Sequence, residues 1–394
     1  MKFLHTGDWH LGKTLYDVSL IEDQKHFINQ VLEIFSEAEK TEEPYDALII
    51  PGDIYDRSVP SVAAVKLFNN FLNEMNDRFP NIHIFILAGN HDGPDRMSFA
   101  SEFLEKSNIH ICTDAQKIPQ AVVINGVAVY QIPFLIPGCF GDELKEQNEL
   151  YKRATEMIAE SHEKNHRGLP LVVCAHATVF GAENPELSVG TAASIDKSLF
   201  DGFTYTALGH IHKFQRLSRD DKMFYSGSPI AYTFDDDAPK FFLSVKIGSD
   251  ATKPERTEKI PVDVLHPLIR LKGKFEDFRS SSDYEKYKNY YIEIKSTDAA
   301  PVQNAKQLLR EKYPHLLSFV RDKILSMEEN ANFAERKRIL KENKQKAEIE
   351  LLKKFLEEIY IEEKDGKKVL AENAKIPEKL KLFEEFFSDE TIQE

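Results

Sequence analysis

Cysteine is nearly absent from this 394-residue chain, which holds three, Cys112, Cys139 and Cys174, scattered among apolar neighbours. An odd and scattered set argues against a disulfide framework or a thiolate zinc site and fits reduced thiols in a core. Long apolar runs are also missing: no segment approaches the roughly 20 residues that cross a bilayer, and the opening MKFLHTGD is too short an apolar stretch for a signal peptide. A cytoplasmic, membrane-free protein is therefore expected. Positive charge is in deficit, with 51 Lys and Arg against 65 Asp and Glu and a net charge of -14. This weighs against nucleic-acid binding through a basic surface of the chain's own. It leaves open a cleft whose field is set by bound cations, or a partner that brings the basic surface.

What is present is an alternation. Residues 2–6, 46–51, 82–88, 170–175 and 203–208 are short apolar runs that read as strands, several buried on both faces. Between the early ones, Ile21, Phe27, Ile28, Val31, Leu32 and Phe35, then Val65, Phe68, Phe71, Leu72 and Met75, recur at helical spacing. Strand, helix, strand, helix, strand predicts parallel pairing and a layered α/β core. Later strands near 223–226 and 240–247 are closer together and suit antiparallel pairing with one another.

Each of the five runs stops at polar groups. The first is followed by Gly7-Asp8-Trp9-His10, the second by Gly52-Asp53-Ile54-Tyr55-Asp56 and the third by Gly89-Asn90-His91-Asp92; the last two lead into His176 and into Gly209-His210-Ile211-His212. Polar groups at the end of a core strand are unfavourable unless a tight turn or a bound ion satisfies them. In an α/β sheet the carboxyl ends of the strands open on one edge, where ligands bind, so these groups should converge. Carboxylate, imidazole and amide donors without thiolate suit Mn²⁺, Fe²⁺ or Zn²⁺ better than an all-oxygen Mg²⁺ or Ca²⁺ site. Asp8, His10, Asp53, Asn90, His176, His210 and His212 are too many ligands for one ion. They suit two ions sharing a carboxylate, which at a separation of roughly 3.5–4 Å serve displacement at phosphorus.

The ordered set Asp-x-His, Gly-Asp-x-x-Asp, Gly-Asn-His-Asp, a lone His and Gly-His-x-His resembles the calcineurin-like metallophosphoesterases. The longer stretches GDWHLGK, LAGNHD and ALGHIHK, with YSGSP at 225–229, are similar to a nuclease branch of that family whose members work with an SbcC-type ATPase carrying a coiled coil. The resemblance implies a layered metallophosphoesterase β-sandwich flanked by helices over residues 1–250. It implies that Asp8, His10, Asp53 and His212 hold a first metal, that Asp53, Asn90, His176 and His210 hold a second, and that Asp53 bridges them. Mn²⁺ is the expected ion. His91 would act at the scissile phosphate, and Asp92 is expected to orient it. There are departures. Asp56 stands where archaeal and eukaryotic relatives commonly carry histidine, so inferences about duplex preference drawn from that histidine do not transfer. Asp56-Arg57 resembles protein Ser/Thr phosphatases, which usually have Glu in place of Asp92; Arg57 is read as a surface contact.

Past residue 250, SDATKPERTEK reads as a polar linker. HPLIRLKG, NYYIEIKS and HLLSFVRD read as strands, with helices over 275–288 and 301–313, the latter opening near Pro301. This small α+β domain at 265–325 resembles the branch's DNA-capping domain. Residues 328–394 carry 18 acidic and 14 basic residues among 67, so exposed faces dominate, yet two helical stripes stand out. One is Leu351, Leu352, Phe355, Leu356 and Ile359; the other is Leu380, Phe383, Phe386 and Phe387. They predict a C-terminal helical segment that docks on a partner, by resemblance the coiled-coil base of the ATPase.

The expectation from sequence is a two-metal DNA nuclease, cutting duplex ends and hairpins as exonuclease and endonuclease, in a DNA repair complex. Its partners would be DNA, the ATPase and a second copy of itself within a heterotetramer. A phosphatase or nucleotidase on the same fold, and a non-catalytic DNA-end-binding scaffold, are the alternatives.

Overall fold

The computed structural model describes residues 1–322 except 142, 180 and 182–193, together with Lys353 and residues 361–364 and 367–370. The chain forms two units, Met1–Arg321 and Asp322–Glu394.

The first unit begins with β1 (Lys2–His5), a small hairpin at residues 14–19, α1 (Ile21–Ala38), β2 (Ala47–Ile50), α2 (Val62–Arg78), β3 (His83–Leu87) and β4 (Ile109–Cys112). It continues with β5 (Val122–Ile124), β6 (Val127–Ile132), α3 (Gln147–Asn165), β7 (Leu171–His176), β8 (Tyr205–Gly209), β9 (Gln215–Arg216), β10 (Met223–Tyr225), β11 (Phe241–Lys246) and β12 (Arg256–Pro261). The first sheet has the order β12-β11-β1-β2-β3-β4, and the second β9-β10-β8-β7-β6-β5. Strands β1 to β4 pair in parallel, as do β6, β7, β8 and β10, while β11, β12, β5 and β9 add antiparallel edges.

Side-chain alternation assigns the layers. Phe3, Ile49, Phe85 and Leu87 from the first sheet meet Val172, Cys174, Ala207 and Phe224 from the second. The other face of the first sheet, with Leu4, Leu48, Ile50 and Ile86, packs against Phe27, Val31, Phe35, Phe68 and Phe71 of α1 and α2. Val173 and Ala175 pack on Leu150, Ala154 and Ile158 of α3. The result is an α/β sandwich with helices on both outer faces, in which each large apolar side chain removed from water contributes roughly 1.5–3 kcal/mol. Ser61 caps α2 by accepting from the Ala64 amide at 3.2 Å. Cys112 and Cys174 are buried between the sheets, and all three cysteines are free thiols. Burial pushes Cys112 up to about 12.

Several expectations change here. Strands β10 and β11 do not pair: they lie in different sheets, β10 parallel to β8 and β11 antiparallel to β1. The last four residues of the expected linker at 249–259 are strand, because β12 adds to the exposed edge beyond β11. Pro301 lies ahead of α5 (Ala305–Arg310), which starts later than the sequence suggests.

Strands β13 (Leu268–Gly273), β14 (Tyr291–Ser296) and β15 (Leu316–Arg321), with α4 (Phe275–Ser280) and α5, form a small all-parallel subdomain with its own core around Phe278, Ile292, Ile294, Leu309 and Leu316. Asp23 of α1 fastens it to the sandwich. Its carboxylate accepts from the His266 amide at 3.2 Å and the Tyr291 hydroxyl at 2.8 Å, and pairs with His266 Nδ1 at 3.0 Å.

In the second unit Ile361–Lys364 and Lys367–Leu370 pair antiparallel, where a helical segment is expected. Both apolar stripes, 351–359 and 380–387, lie outside the described residues.

Candidate metal centre

Five strand ends of the two sheets open on one edge of the sandwich. At that edge Asp8, His10 and Asp53 have positive φ of 54°, 42° and 51°, and His210 has 100°. Four non-glycine residues in a disfavoured backbone region at one place mark a site whose geometry the surrounding structure enforces. The enforcing bonds are visible: the Asp8 amide donates to the Gly52 carbonyl at 3.2 Å, the His10 amide to the Asp53 carbonyl at 2.9 Å, and the His210 amide to Asp8 Oδ1 at 2.8 Å. Gly89 is required by close approach, since a Cβ there would lie 2.2 Å from Asp53 Oδ1.

All seven residues expected as ligands converge. The potential ligand atoms of Asp8, His10 and His212 lie within 4.8 Å of one another, and so do those of Asp53, His176 and His210. Asn90 Oδ1 joins the second group, 3.0 Å from His176 Nε2 and 2.9 Å from His210 Nδ1. Asp53 stands between the groups, its Oδ2 being 3.5 Å from His10 Nε2 and 3.4 Å from His176 Nε2. Asp8, His10, Asp53 and His176 are buried, whereas Asn90 and His91 are exposed, so the site has a dry back and an open front.

The donor set fits divalent cations on three counts. Asp8 Oδ2 is buried without a hydrogen-bond partner, which is unfavourable for a carboxylate oxygen unless a cation faces it. His176 Nδ1 lies 2.7 Å from the Pro51 carbonyl; donation there puts the proton on Nδ1 and leaves the Nε2 lone pair toward Asp53 and Asn90. The electrostatics agree. Burial pushes Asp8 up to about 6. Burial would also raise Asp53, but the surrounding imidazoles of His176, His10 and His91 outweigh it and hold Asp53 well below the carboxylate range. His176 is lifted to about 9, because Asp53 and Asp8 overcome its burial, while burial takes His210 down to about 3. Bound cations would replace the proton on His176 in neutralising these carboxylates.

His91 sits at the open front, its amide donating to Asp53 Oδ1 at 2.9 Å and its Nδ1 lying 3.0 Å from the Asp56 carbonyl. Asp92 departs from its expected task. Its carboxylate accepts from the amides of Gly89 at 2.9 Å, Tyr55 at 2.9 Å and Ile54 at 3.2 Å, so it ties the loop after β3 to the loop after β2. The His91 ring is held by Asp56 instead. Adjacent residues on a turn send their side chains in different directions, and buried backbone amides compete for any carboxylate within reach.

Gln24 and Phe134, not singled out from sequence, complete the surroundings together with Asp56 and Arg57. Gln24 donates to the His10 carbonyl at 2.7 Å and accepts from the Gly12 amide at 2.9 Å; a glutamine on the apolar face of α1 was the available signal. Asp56 groups with His10 and His91 and pairs with Lys13 at 2.8 Å. Phe134 lies over His210, with centroids 6.4 Å apart and 21° between the rings. Arg57 is largely exposed, beside Asp56 at 3.7 Å.

Comparison with known families matches residues 1–214 to the calcineurin-like phosphoesterases. Residues 264–360 match the SbcD C-terminal family, described as the type 5 capsule protein repressor C-terminal domain.

Proposed function

Because the chain belongs to the calcineurin-like phosphoesterase family, we propose that it is an SbcD-type DNA nuclease, hydrolysing phosphodiesters with two divalent cations. The observation that carries this reading is the placement of Asp53 Oδ2 between His10 and His176, at 3.5 and 3.4 Å. One carboxylate shared by two imidazole-containing groups is what a two-ion centre requires. Asp8, His10, Asp53 and His212 would hold one ion, and Asp53, Asn90, His176 and His210 the other; Mn²⁺ suits this nitrogen and oxygen set. When bound, the ions supply positive charge to the phosphate and activate the attacking water.

The chain's own groups do the rest. The buried back of the site excludes water from the ligand atoms, which strengthens their interaction with charge. The exposed His91 meets the substrate from the open front. Its Nδ1 is held by the Asp56 carbonyl, which leaves Nε2 to stabilise the phosphate or protonate the leaving oxygen. Asp92 keeps the two loops in register beneath it.

The match over 264–360 supports a DNA substrate and an SbcC-type ATPase partner in DNA repair, because small-substrate phosphatases have no need of that part. The -14 charge assigns most non-specific DNA affinity to that partner. Among the described residues no helix is long and apolar enough to cross a membrane. An apolar surface near α2 suits a second copy. Val59, Val62 and Val65 are exposed there, Phe99 and Phe103 are 84% and 70% exposed, and Arg96 ties the latter segment to the Ser58 carbonyl at 2.7 Å.

The test is cleavage of linear duplex, hairpin and single-stranded DNA by the full chain with Mn²⁺, with and without the ATPase, beside a chromogenic phosphodiester. Metal-dependent cutting of duplex ends is expected. Turnover of phosphomonoesters alone would assign the chain to the phosphatases.

A further inference from the structure

We propose that Lys240, with Ser228 and Asp236, is a positioning clamp that sets His212 in the metal centre; the inference rests on the two-ion reading above. Lys240 is 7% exposed, an uncommon place for an ammonium group, which stays buried only when paired and hydrogen-bonded. Its Nζ lies 2.5 Å from Asp236 Oδ2, 3.1 Å from Ser228 Oγ and 3.0 Å from the His212 carbonyl. An ammonium has three protons to donate, and these three acceptors lie within reach of them.

The His212 carbonyl is gripped from a second side. The Ser228 amide donates to it at 2.9 Å. Ser228 Oγ has one proton, and its shorter contact is to the Ile230 carbonyl at 2.7 Å rather than to His212 at 3.3 Å. Oγ therefore accepts from Lys240 and passes the constraint to the backbone two residues on. Gly227 presses against the same segment with φ of +74°, and a Cβ there would lie 2.6 Å from the His212 carbonyl and 2.8 Å from the Phe214 amide. The YSGSP stretch is thus built around the backbone of one expected ligand.

The side chain of that residue reaches the other way into the site, with Nε2 3.0 Å from His10 Nε2. Apolar side chains would fill a core as well as a buried ion pair does, often with a gain in stability. An ion pair that instead directs hydrogen bonds at a ligand's carbonyl limits how far that ligand can turn. Contacts of this kind change metal affinity by roughly 10–100-fold.

The test uses the full chain, with Mn²⁺ binding followed by titration calorimetry and elemental analysis, and turnover of a chromogenic phosphodiester followed against Mn²⁺ concentration. Lys240→Met should bind one ion as the wild type does and the other about 10–100-fold more weakly. Its kcat should fall at limiting Mn²⁺ and recover in excess, with KM for the phosphodiester unchanged. Lys240→Arg, which can reach the same carbonyl, should restore most of the affinity. Ser228→Ala, nearly isosteric, should weaken the same ion and decides the matter if Lys240→Met does not fold. Two ions bound at wild-type affinity in both Lys240→Met and Ser228→Ala would overturn the clamp. So would equal weakening of both ions alongside a lower melting temperature of the metal-free chain, which is the mark of a purely structural role. A wild-type chain that binds no ions would bring down the two-ion reading and the clamp with it, an outcome visible before any substitution is made.

Discussion

His10 Nε2 and His212 Nε2 lie 3.0 Å apart, two imidazole nitrogens from opposite sheets facing each other beside the partnerless Asp8 Oδ2. Neutral imidazoles satisfy this arrangement with one shared proton, and a cation satisfies it with both lone pairs. Added Mn²⁺ should therefore raise the melting temperature of the chain by mass action. Asp53→Asn should abolish turnover and lower bound metal, since one oxygen faces both groups. His91→Gln should keep both ions and lose most turnover. Elemental analysis of the two variants checks this, and loss of both metals from His91→Gln would make His91 a ligand.

Asp92→Ala should act through the backbone. It removes the acceptor from three amides, those of Gly89, Ile54 and Tyr55, in a buried place. Each orphaned donor is worth about 1–3 kcal/mol, so a melting temperature lower by several degrees is expected, with bound metal reduced because Asn90 and Asp53 lose their register. If Asp92→Ala melts like the wild type and only turnover falls, Asp92 acts on His91 after all.

The edge carrying the site was legible because strands buried on both faces read as unbroken apolar runs, and their abrupt ends at Gly-Asp, Gly-Asn and Gly-His are hard to mistake. Other elements were less so. Helix α3 has a thin apolar face, Leu150, Tyr151, Ala154 and Ile158, among many charged residues. The β5–β6 hairpin carries an Asn125-Gly126 turn with both φ positive, a local hairpin signal between two short apolar runs. Strand β12 is mostly exposed, with only Thr257 and Ile260 half-buried, and it lies at a sheet edge, where charge is tolerated and a linker looks the same. The tasks of Asp92, Gln24 and Lys240 depend on backbone groups brought from distant segments, which no local pattern records.

Acid should unfold the chain through its buried histidines. His5 lies between the sheets with Nδ1 3.1 Å from the Tyr205 hydroxyl and Nε2 3.3 Å from the Leu208 carbonyl, and burial takes it down to about 3. Its ordinary value is 6.5. The folded chain therefore binds this proton less readily than the unfolded one, and the stability present above pH 6.5 is lost as pH falls toward 3. At pH 4 the loss from this group is about 3 kcal/mol. His110, taken by burial and by His83 to about 4, adds to it. Melting followed from pH 8 to pH 4 should fall through this window, and His5→Gln should make the fall shallower. An unchanged slope in that variant would show that His5 is not titrating.

Asp23 and Gln24 are neighbours on α1 with separate tasks, and substituting each should separate two properties of the chain. Asp23, 2% exposed, holds the β13–β15 subdomain through His266 and Tyr291, while Gln24 holds the loop of His10 through the His10 carbonyl and the Gly12 amide. Asp23→Ala leaves the Tyr291 hydroxyl and His266 without their acceptor, at about 2–4 kcal/mol, all of it at the junction. Hydrogen exchange in β14 should speed up and DNA cleavage should fall. Mn²⁺ binding and turnover of a small phosphodiester should stay near wild type, because no expected ligand bonds to Asp23. Gln24→Ala should do the reverse: slow exchange in β14 is retained, while Mn²⁺ binding weakens and small-substrate turnover drops with it. The adjacency makes the comparison stringent, since a general disturbance of α1 would move both readouts in both variants. That outcome would mean that the helix transmits strain between the subdomain and the metal centre, and that the two side chains do not act independently.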